Sequence, residues 1–329
     1  MSESEKPSNN QWLVIDGEEF PPGSRGEVSI HVGELIHHQP VTMPVHVHRG
    51  RKPGPYVFIS AAVHGDEVNG VEIIRRLLNS PSIKRLRGTL LAVPVVNMPA
   101  FLVRSRYLPD RRDMNRLFPG SDSGSLGARI ADAFCREVLD HCDFGLDLHT
   151  GAVNRPNLPQ IRISGKTGEE ADLAKAFGAA VVLTSPPREG SLRAAAAERD
   201  IPYLLYEAGE ATQLDEASVK LGLRGTLNVL RHLGMIPQDK ARKRLPQPIH
   251  MRSSYWERAA SGGVFIPRVK LGKAVSKDML IGIIADPFSA QETPSTRAPM
   301  ASLLDKPTSP SSMRVKPCFT LRDRKTRKA

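Results

Sequence analysis

Along this chain, apolar residues gather in short solid runs separated by stretches of helical spacing, the pattern of a buried sheet flanked by helices. Val57–Val63 is one such run, bounded upstream by Gly54-Pro55, and predicts a buried strand. Gly70–Leu78 follows with helical periodicity. Gly88–Val96 predicts a second buried strand ending at Asn97, and Met98–Gly124 a long Arg-rich loop. Ser125–Leu139 predicts an amphipathic helix, and Asp143–Leu148 a third strand. A further unit comprises Gln160–Ser164, a helix near Glu169–Phe177, and Ala180–Ser185. A helix over Ser191–Glu198 then leads to an apolar strand at Ile201–Tyr206. Upstream, Trp12–His48 alternates in short segments with turn signals at Asp16-Gly17 and Pro21–Gly23, which predicts strands leading up to the central one. The fold class is therefore α/β, a mixed sheet with helices around it.

The pattern changes after residue 237. Gln238–Pro248 reads as a linker, with Lys240, Arg242, Lys243 and Arg244 between prolines. Met251–Asp286 holds short strand-like segments with Gly262-Gly263, Gly272 and Gly282 at turns, a small β module. The expected organisation is a disordered segment 1–10, a catalytic domain 11–237, the linker 238–248, the module 249–301, and an irregular basic tail 302–329.

Composition narrows the function classes. With 40% hydrophobic and 25% charged residues the chain is globular, and no apolar run approaches the ~18 residues of a membrane span. MSESEKPSNN has no apolar signal core, so a cytoplasmic location and no membrane partner are expected. Cys135, Cys142 and Cys318 form no C-x-x-C pair and fit a reducing compartment. The net charge of +11 would suggest a nucleic-acid partner if it were spread over a face. Instead Ser302–Ala329 alone carries eight Lys or Arg against two Asp, and no basic face interleaved with aromatics appears elsewhere. No nucleic-acid partner is expected.

Chemistry collects where the strands end. The Val57–Val63 run delivers His64, Gly65, Asp66 and Glu67 just before a helix. In open α/β folds ligands gather at the carboxyl ends of strands, and zinc takes nitrogen and oxygen donors of this kind. His-x-x-Glu by itself equally describes a helix N-terminal capping arrangement. The third strand repeats the theme with Asp147-Leu148-His149-Thr150-Gly151, and residues 147 and 149 share a strand face, so Asp147 could orient the imidazole. The strand at Ile201–Tyr206 ends in Glu207-Ala208-Gly209-Glu210. Three exits therefore supply three metal ligands and a general base. By contrast, His46 and His48 read as a half-buried strand face rather than a chelate, and the neighbours His37 and His38 point to opposite faces.

Taken together, AAVHGDEVNG, NMPAFLVRSRYLPDRRDMNRLFPG, DLHTG, SLRAAAAERDIPYLLYEAGE and GGVFIPRVKLGKAVSKDMLIGIIADPF resemble the succinylglutamate desuccinylase/aspartoacylase family, zinc amidohydrolases with a carboxypeptidase-like fold. The resemblance implies that His64, Glu67 and His149 hold one zinc ion and that Glu207 is the base that activates a zinc-bound water. It implies that Asn115 and Arg116, within Asp113-Met114-Asn115-Arg116, bind a substrate carboxylate, and that Arg106 stabilises the oxyanion. Arg193 is assigned to substrate as well, with Arg199 as a competitor. The implied partner is a small N-acyl substrate, with a homo-oligomer left open. The β module resembles the barrel-sandwich hybrids of biotinyl and lipoyl carriers but lacks a carrier-type Lys, so a structural role at the cleft is expected.

Three functions fit these residues: a zinc-dependent deacylase of N-acyl amino acids or related amines, a metallocarboxypeptidase, and a non-catalytic binding module on the same fold. The Asn-Arg loop and the β module favour the first. The resemblance stops near Ala298-Pro299-Met300, where the family continues with a segment like PLVN-x-G-x-ALFHIA. Back-translating Lys306–Leu321 with synonymous freedom, from the third base of the Lys306 codon, permits TNLPLVNEGEALFHI in the shifted frame. A frameshift near residues 301–306 would explain the tail's charge and Cys318, and predicts a module without its closing strand. The other reading is a basic disordered extension.

Overall fold

Six consecutive buried residues, Tyr56–Ala61, form the central strand β5, and the rest of the sheet is laid on either side of it. The computed structural model describes residues 12–152, 155–165, 167–239, 247–252, 254–257, 259–276, 278–296, 301–303 and 318–322. Before β5 come a hairpin of β1 (Leu13–Ile15) and β2 (Glu18–Phe20), then the long strands β3 (Arg25–Glu34) and β4 (Pro40–Arg49). After it come α1 (Asn69–Leu78), β6 (Thr89–Val93), α2 (Met98–Leu102) and α3 (Leu126–Glu137). Next are β7 (Phe144–Gly151), β8 (Asn157–Ile163), α4 (Gly168–Phe177), β9 (Val181–Thr184) and α5 (Leu192–Glu198). The body closes with β10 (Tyr203–Glu210), α6 (Glu216–His232) and β11 (Ile249–Met251).

Strands β3 to β11 make one nine-stranded mixed sheet in the order β11-β9-β8-β10-β7-β5-β6-β4-β3, while β1 and β2 pair by themselves. Its middle, β6-β5-β7-β10, is parallel, so four carboxyl ends emerge at one edge. Strands covered on both faces read as solid apolar runs, which is why β5, β6 and β7 are buried throughout. β4 alternates instead, with Val45 and Val47 buried and His46 and His48 half-buried on the other face, as its sequence predicts. One core packs Phe58, Phe134 and Tyr203, with Phe58 edge-on to Phe134 at 5.5 Å, an arrangement worth about 1 kcal/mol beyond burial. The other, on the opposite face, packs Ile73, Leu173, Phe177, Tyr206 and Val219 from α1, α4, β10 and α6.

Four features depart from the sequence reading. The Met98–Gly124 loop contains α2, capped by the Asn97 side chain on the Ala100 N–H, and a 3-10 turn at Met114–Arg116 capped by Asp113. The long helix α6 went unpredicted, although Asp215 caps it through the N–H groups of Ala217 and Ser218. Ile249–Met251, assigned from sequence to the module, pairs in parallel with β9 and extends the large sheet, because β9 otherwise leaves an edge of unpaired backbone groups. The remaining strands form two small sheets. β12 (Ser254–Glu257), β14 (Ala274–Val275), β17 (Ala301–Leu303) and β18 (Cys318–Arg322) lie in the order β12-β18-β17-β14, while β13 (Val264–Pro267), β15 (Leu280–Ala285) and β16 (Glu292–Thr296) make the second. The tail thus supplies a strand after all: Cys318–Arg322 pairs with both β12 and β17, so the expected gap in the module is absent. The N-terminal segment 1–10, residues 240–246 of the linker and most of the tail lie outside the described residues. Among the described residues, no helix is long and apolar enough to cross a membrane.

Candidate active site

Beyond β5 the chain turns sharply to bring His64 to the sheet edge. Ala62 sits at φ 50°, a left-handed conformation uncommon for a residue with a Cβ. It is held there by hydrogen bonds from Val96 N to Ala61 O (3.0 Å) and from Asn97 N to Ala62 O (3.1 Å). Gly65 lets this turn press against α2, since a Cβ at that position would lie 2.1 Å from the Ala100 carbonyl carbon. The N-cap of α1 is Val68, with no side-chain cap bond, so Glu67 is not spent on capping. It points inward and is buried.

His64, Glu67 and His149 form a buried group that could hold a metal ion, each offering one ligand atom, with these atoms all within 4.8 Å of one another. Both imidazoles turn Nδ1 toward Glu67, at 2.8 Å from His64 to Oε1 and 2.7 Å from His149 to Oε2. Both turn Nε2 toward another carboxylate, Asp113 for His64 at 3.0 Å and Asp147 for His149 at 2.7 Å. Metal-ligating histidines commonly have such outer carboxylates, which fix the ring and raise its basicity. His64 Nδ1 is buried and makes no hydrogen bond despite its short distance to Glu67, so a donor atom is left over for an ion. Two nitrogens and a carboxylate with a spare buried donor fit zinc.

Burial alone would lower the two imidazoles, but the flanking carboxylates reverse the shift: Glu67 and Asp113 raise His64, and Asp147 and Glu67 raise His149 well above the usual value. Glu67 is held well below the usual carboxylate range against its own burial, chiefly by His64 and His149. Asp147 is fixed further by hydrogen bonds from Ser60 Oγ (2.8 Å) and Tyr203 Oη (2.7 Å). Arg106 closes the group, donating to Glu67 Oε1 at 3.2 Å and to Asp113 Oδ2 at 3.0 Å.

Glu207 stands opposite, at a register shift in β10, where its Cα pairs with His149 of β7 and with Gln160 of β8. Its Oε2 accepts from Asn157 Nδ2 (2.8 Å), Gln160 Nε2 (3.3 Å) and Arg162 (2.8 Å). All three donors reach the same oxygen. Glu207, the metal group, Arg106, Asn115, Arg116 and Arg193 line a single pocket of about 180 Å³. Asn115 Oδ1 accepts from Leu192 N at 2.9 Å, which leaves its amide donor for a ligand. Gly190, at φ +71°, packs against the Arg116 backbone, where a Cβ would lie 2.5 Å from the Arg116 carbonyl oxygen. Arg193 is buried, and its guanidinium donates to Pro186 O at 3.0 Å and to Ser185. Arg199, the competitor, pairs with Asp140 and does not line the pocket.

Sequence reasoning missed several participants. The sequence marks Asp113 only as part of the Asn-Arg motif, yet it backs His64 across 49 residues. Arg155, Arg162 and Arg188 also line the pocket, and no local motif marks them. Burial, then Arg116 and Arg162, lower the pKa of Arg188, as expected where guanidiniums crowd. Asn157 and Gln160 lie on an antiparallel strand beside β10, a pairing that strand-exit logic does not anticipate.

A mixed sheet whose parallel strands bring two imidazoles and a carboxylate to one edge, opposite a second carboxylate, defines an α/β protein with a candidate metal-hydrolase site. Residues 53–233 match the succinylglutamate desuccinylase/aspartoacylase catalytic domain, and the chain belongs to that family. It is 27% identical over 257 residues to the N-alpha-acetyl-L-2,4-diaminobutyric acid deacetylase of Halomonas elongata, covering 75% of each chain. Its fold is similar to that of a succinylglutamate desuccinylase/aspartoacylase from Rhodobacter sphaeroides, with a TM-score of 0.81 at 24% identity, over 92% of this chain and 96% of that one. The product-bound ectoine utilization protein EutE (DoeB) from Ruegeria pomeroyi has a TM-score of 0.79 at 23% identity, over 91% and 94%. Family membership supports amide hydrolysis as the class of reaction.

Proposed function

We propose that this protein hydrolyses the amide bond of an N-acyl amino acid or related N-acylated amine, with zinc held by His64, Glu67 and His149 and with Glu207 as general base. The observation that carries this reading is the spare buried donor, His64 Nδ1, in a compact group that shares one pocket with Glu207. Zinc bound by these ligands supplies Lewis-acid polarisation of the acyl carbonyl and of water. Glu207, anchored through Oε2, keeps Oε1 to take the proton of the attacking water and pass it to the departing amine. Water's oxygen joins the acyl carbon as the C–N bond breaks, giving a carboxylic acid and an amine.

Arg106 is already fixed by Glu67 and Asp113, so its charge beside the carbonyl oxygen needs no reorganisation. Arg116 and the free amide donor of Asn115 anchor a substrate carboxylate, with Arg193 adding charge behind them. No thiol is needed as nucleophile, and burial pushes Cys135 up to about 12. The surplus of guanidiniums favours substrates bearing acidic groups over those with a free ammonium side chain.

The test is amine release by the zinc-loaded protein from a panel of N-acetylated and N-succinylated amino acids, set against blocked dipeptides with a free C-terminus. Release from the acylated amino acids alone is expected. Preferential cleavage of the dipeptides would make the protein a carboxypeptidase, and no turnover of any panel member by stoichiometrically loaded protein would leave a binding module.

A further inference from the structure

At the edge of the sheet away from the catalytic pocket, the turns before β5 and β6 enclose a cleft of about 890 Å³. β5 has six residues, so about 20 Å of strand separates the two ends. Arg51 and Lys52 reach the cleft from the β4–β5 turn, Lys84, Arg85 and Arg87 from the segment before β6, and Arg25 from β3. Behind them lie His48 and the buried Arg49. Among the described residues, no Asp or Glu lines it.

Arg51, Lys52, Lys84 and Arg85 make no ion pair with any described carboxylate; their charge faces solvent. Gathering like charges around one cleft costs free energy unless an anion joins them. His48 Nδ1 is buried with no hydrogen-bond partner. Burial chiefly, with Arg25 and His46 adding to it, holds this ring down at about 4. The cleft alone gathers seven Lys or Arg. The volume falls within the range of about 300–1,000 Å³ usual for small-molecule sites.

We propose that this cleft binds a small polyphosphate anion, with the guanidinium and ammonium groups of Arg51, Lys52, Lys84, Arg85 and Arg87 on its phosphates. Guanidiniums suit phosphate through paired N–H donors, and several phosphates on one ligand match cations spread over three segments.

The experiment is calorimetric titration of the zinc-loaded, full-length protein with inorganic tripolyphosphate, ATP and monophosphate, repeated in an Arg51→Glu/Lys84→Glu/Arg85→Glu variant and in the matching Gln variant. The expected result is saturable one-to-one binding of tripolyphosphate at least tenfold tighter than monophosphate, lost in the Glu variant and weakened at least tenfold in the Gln variant, with amidase turnover unchanged in both. Comparable affinity for ATP would point to a nucleotide as the natural source, and tripolyphosphate alone to inorganic chains. All three residues are exposed, so both variants should fold, which circular dichroism checks. Absence of binding, or equal affinity in the parent and the variants, would overturn the proposal.

Discussion

The two sides of the catalytic pocket are charged in opposite ways. On one, three carboxylates, Glu67, Asp113 and Asp147, surround two imidazoles and Arg106. On the other, among the described residues, Arg116, Arg155, Arg162, Arg188 and Arg193 line the pocket beside the carboxylate of Glu207. The first side is buried and internally paired, and a metal need only join what is already assembled. The second is rich in guanidiniums. The first side could hold a cation, and under the proposed function the second would meet an anion.

Breaking the cation side directly should have the largest effect. His149→Ala removes a ligand and leaves Asp147 buried without its imidazole, so the purified protein should lose most of its zinc by metal analysis. Stoichiometric zinc in that variant would place the ion elsewhere. Glu207→Gln tests the boundary between the sides: turnover should fall by about 10² or more while zinc content stays intact. Unchanged turnover in the folded, loaded variant would remove Glu207 from the chemistry.

The outer carboxylates sharpen the comparison further. Asp147→Asn and Asp113→Asn should each weaken zinc by about 10–100-fold in competition with a chelator. Asp147→Asn should also lower thermal stability, because Ser60, Tyr203 and His149 all bond that buried group. Equal zinc affinity in both variants and the parent would show that neither carboxylate supports a ligand. The smallest expected effect lies on the anion side. Arg116→Ala should raise KM about tenfold for acid-bearing substrates with little change in kcat, as removal of uniform binding predicts. A uniform loss across substrates with and without a second carboxylate would reassign Arg116 to holding its loop.

What could be read from the sequence follows from range. The strands β5, β7 and β10 are mainly apolar runs, so they and the polar residues at their exits are visible locally, whereas β8 is not such a run. Asp147 was visible for the same reason, two residues before His149 on the same strand face. Asp113 reaches His64 only through the fold of the loop, and Asn157, Gln160 and Arg162 reach Glu207 only because β8 lies antiparallel beside β10. No period or spacing encodes such contacts. The helix α6 escaped because Gly222 and Gly225 interrupt its buried face, where Ile73 and Phe177 press close and leave no room for a Cβ. The strand at Cys318–Arg322 shows the converse: five residues too short to display a period still pair once two partners stand beside them.

Asp113 has one further consequence. Its carboxylate accepts from the backbone N–H of Asn115, holds Arg106, and meets His64 Nε2. The turn that carries Asn115 and Arg116 and the ring that would carry the metal are therefore tied to one group. A ligand that orders the turn also steadies the ring, and an ion that fixes the ring also steadies the turn. Linkage makes such an effect reciprocal: whatever factor zinc adds to the affinity for a carboxylate product, that product must add to the affinity for zinc. Measured around a thermodynamic cycle, this shared factor should exceed one in the parent protein and shrink toward one in Asp113→Asn.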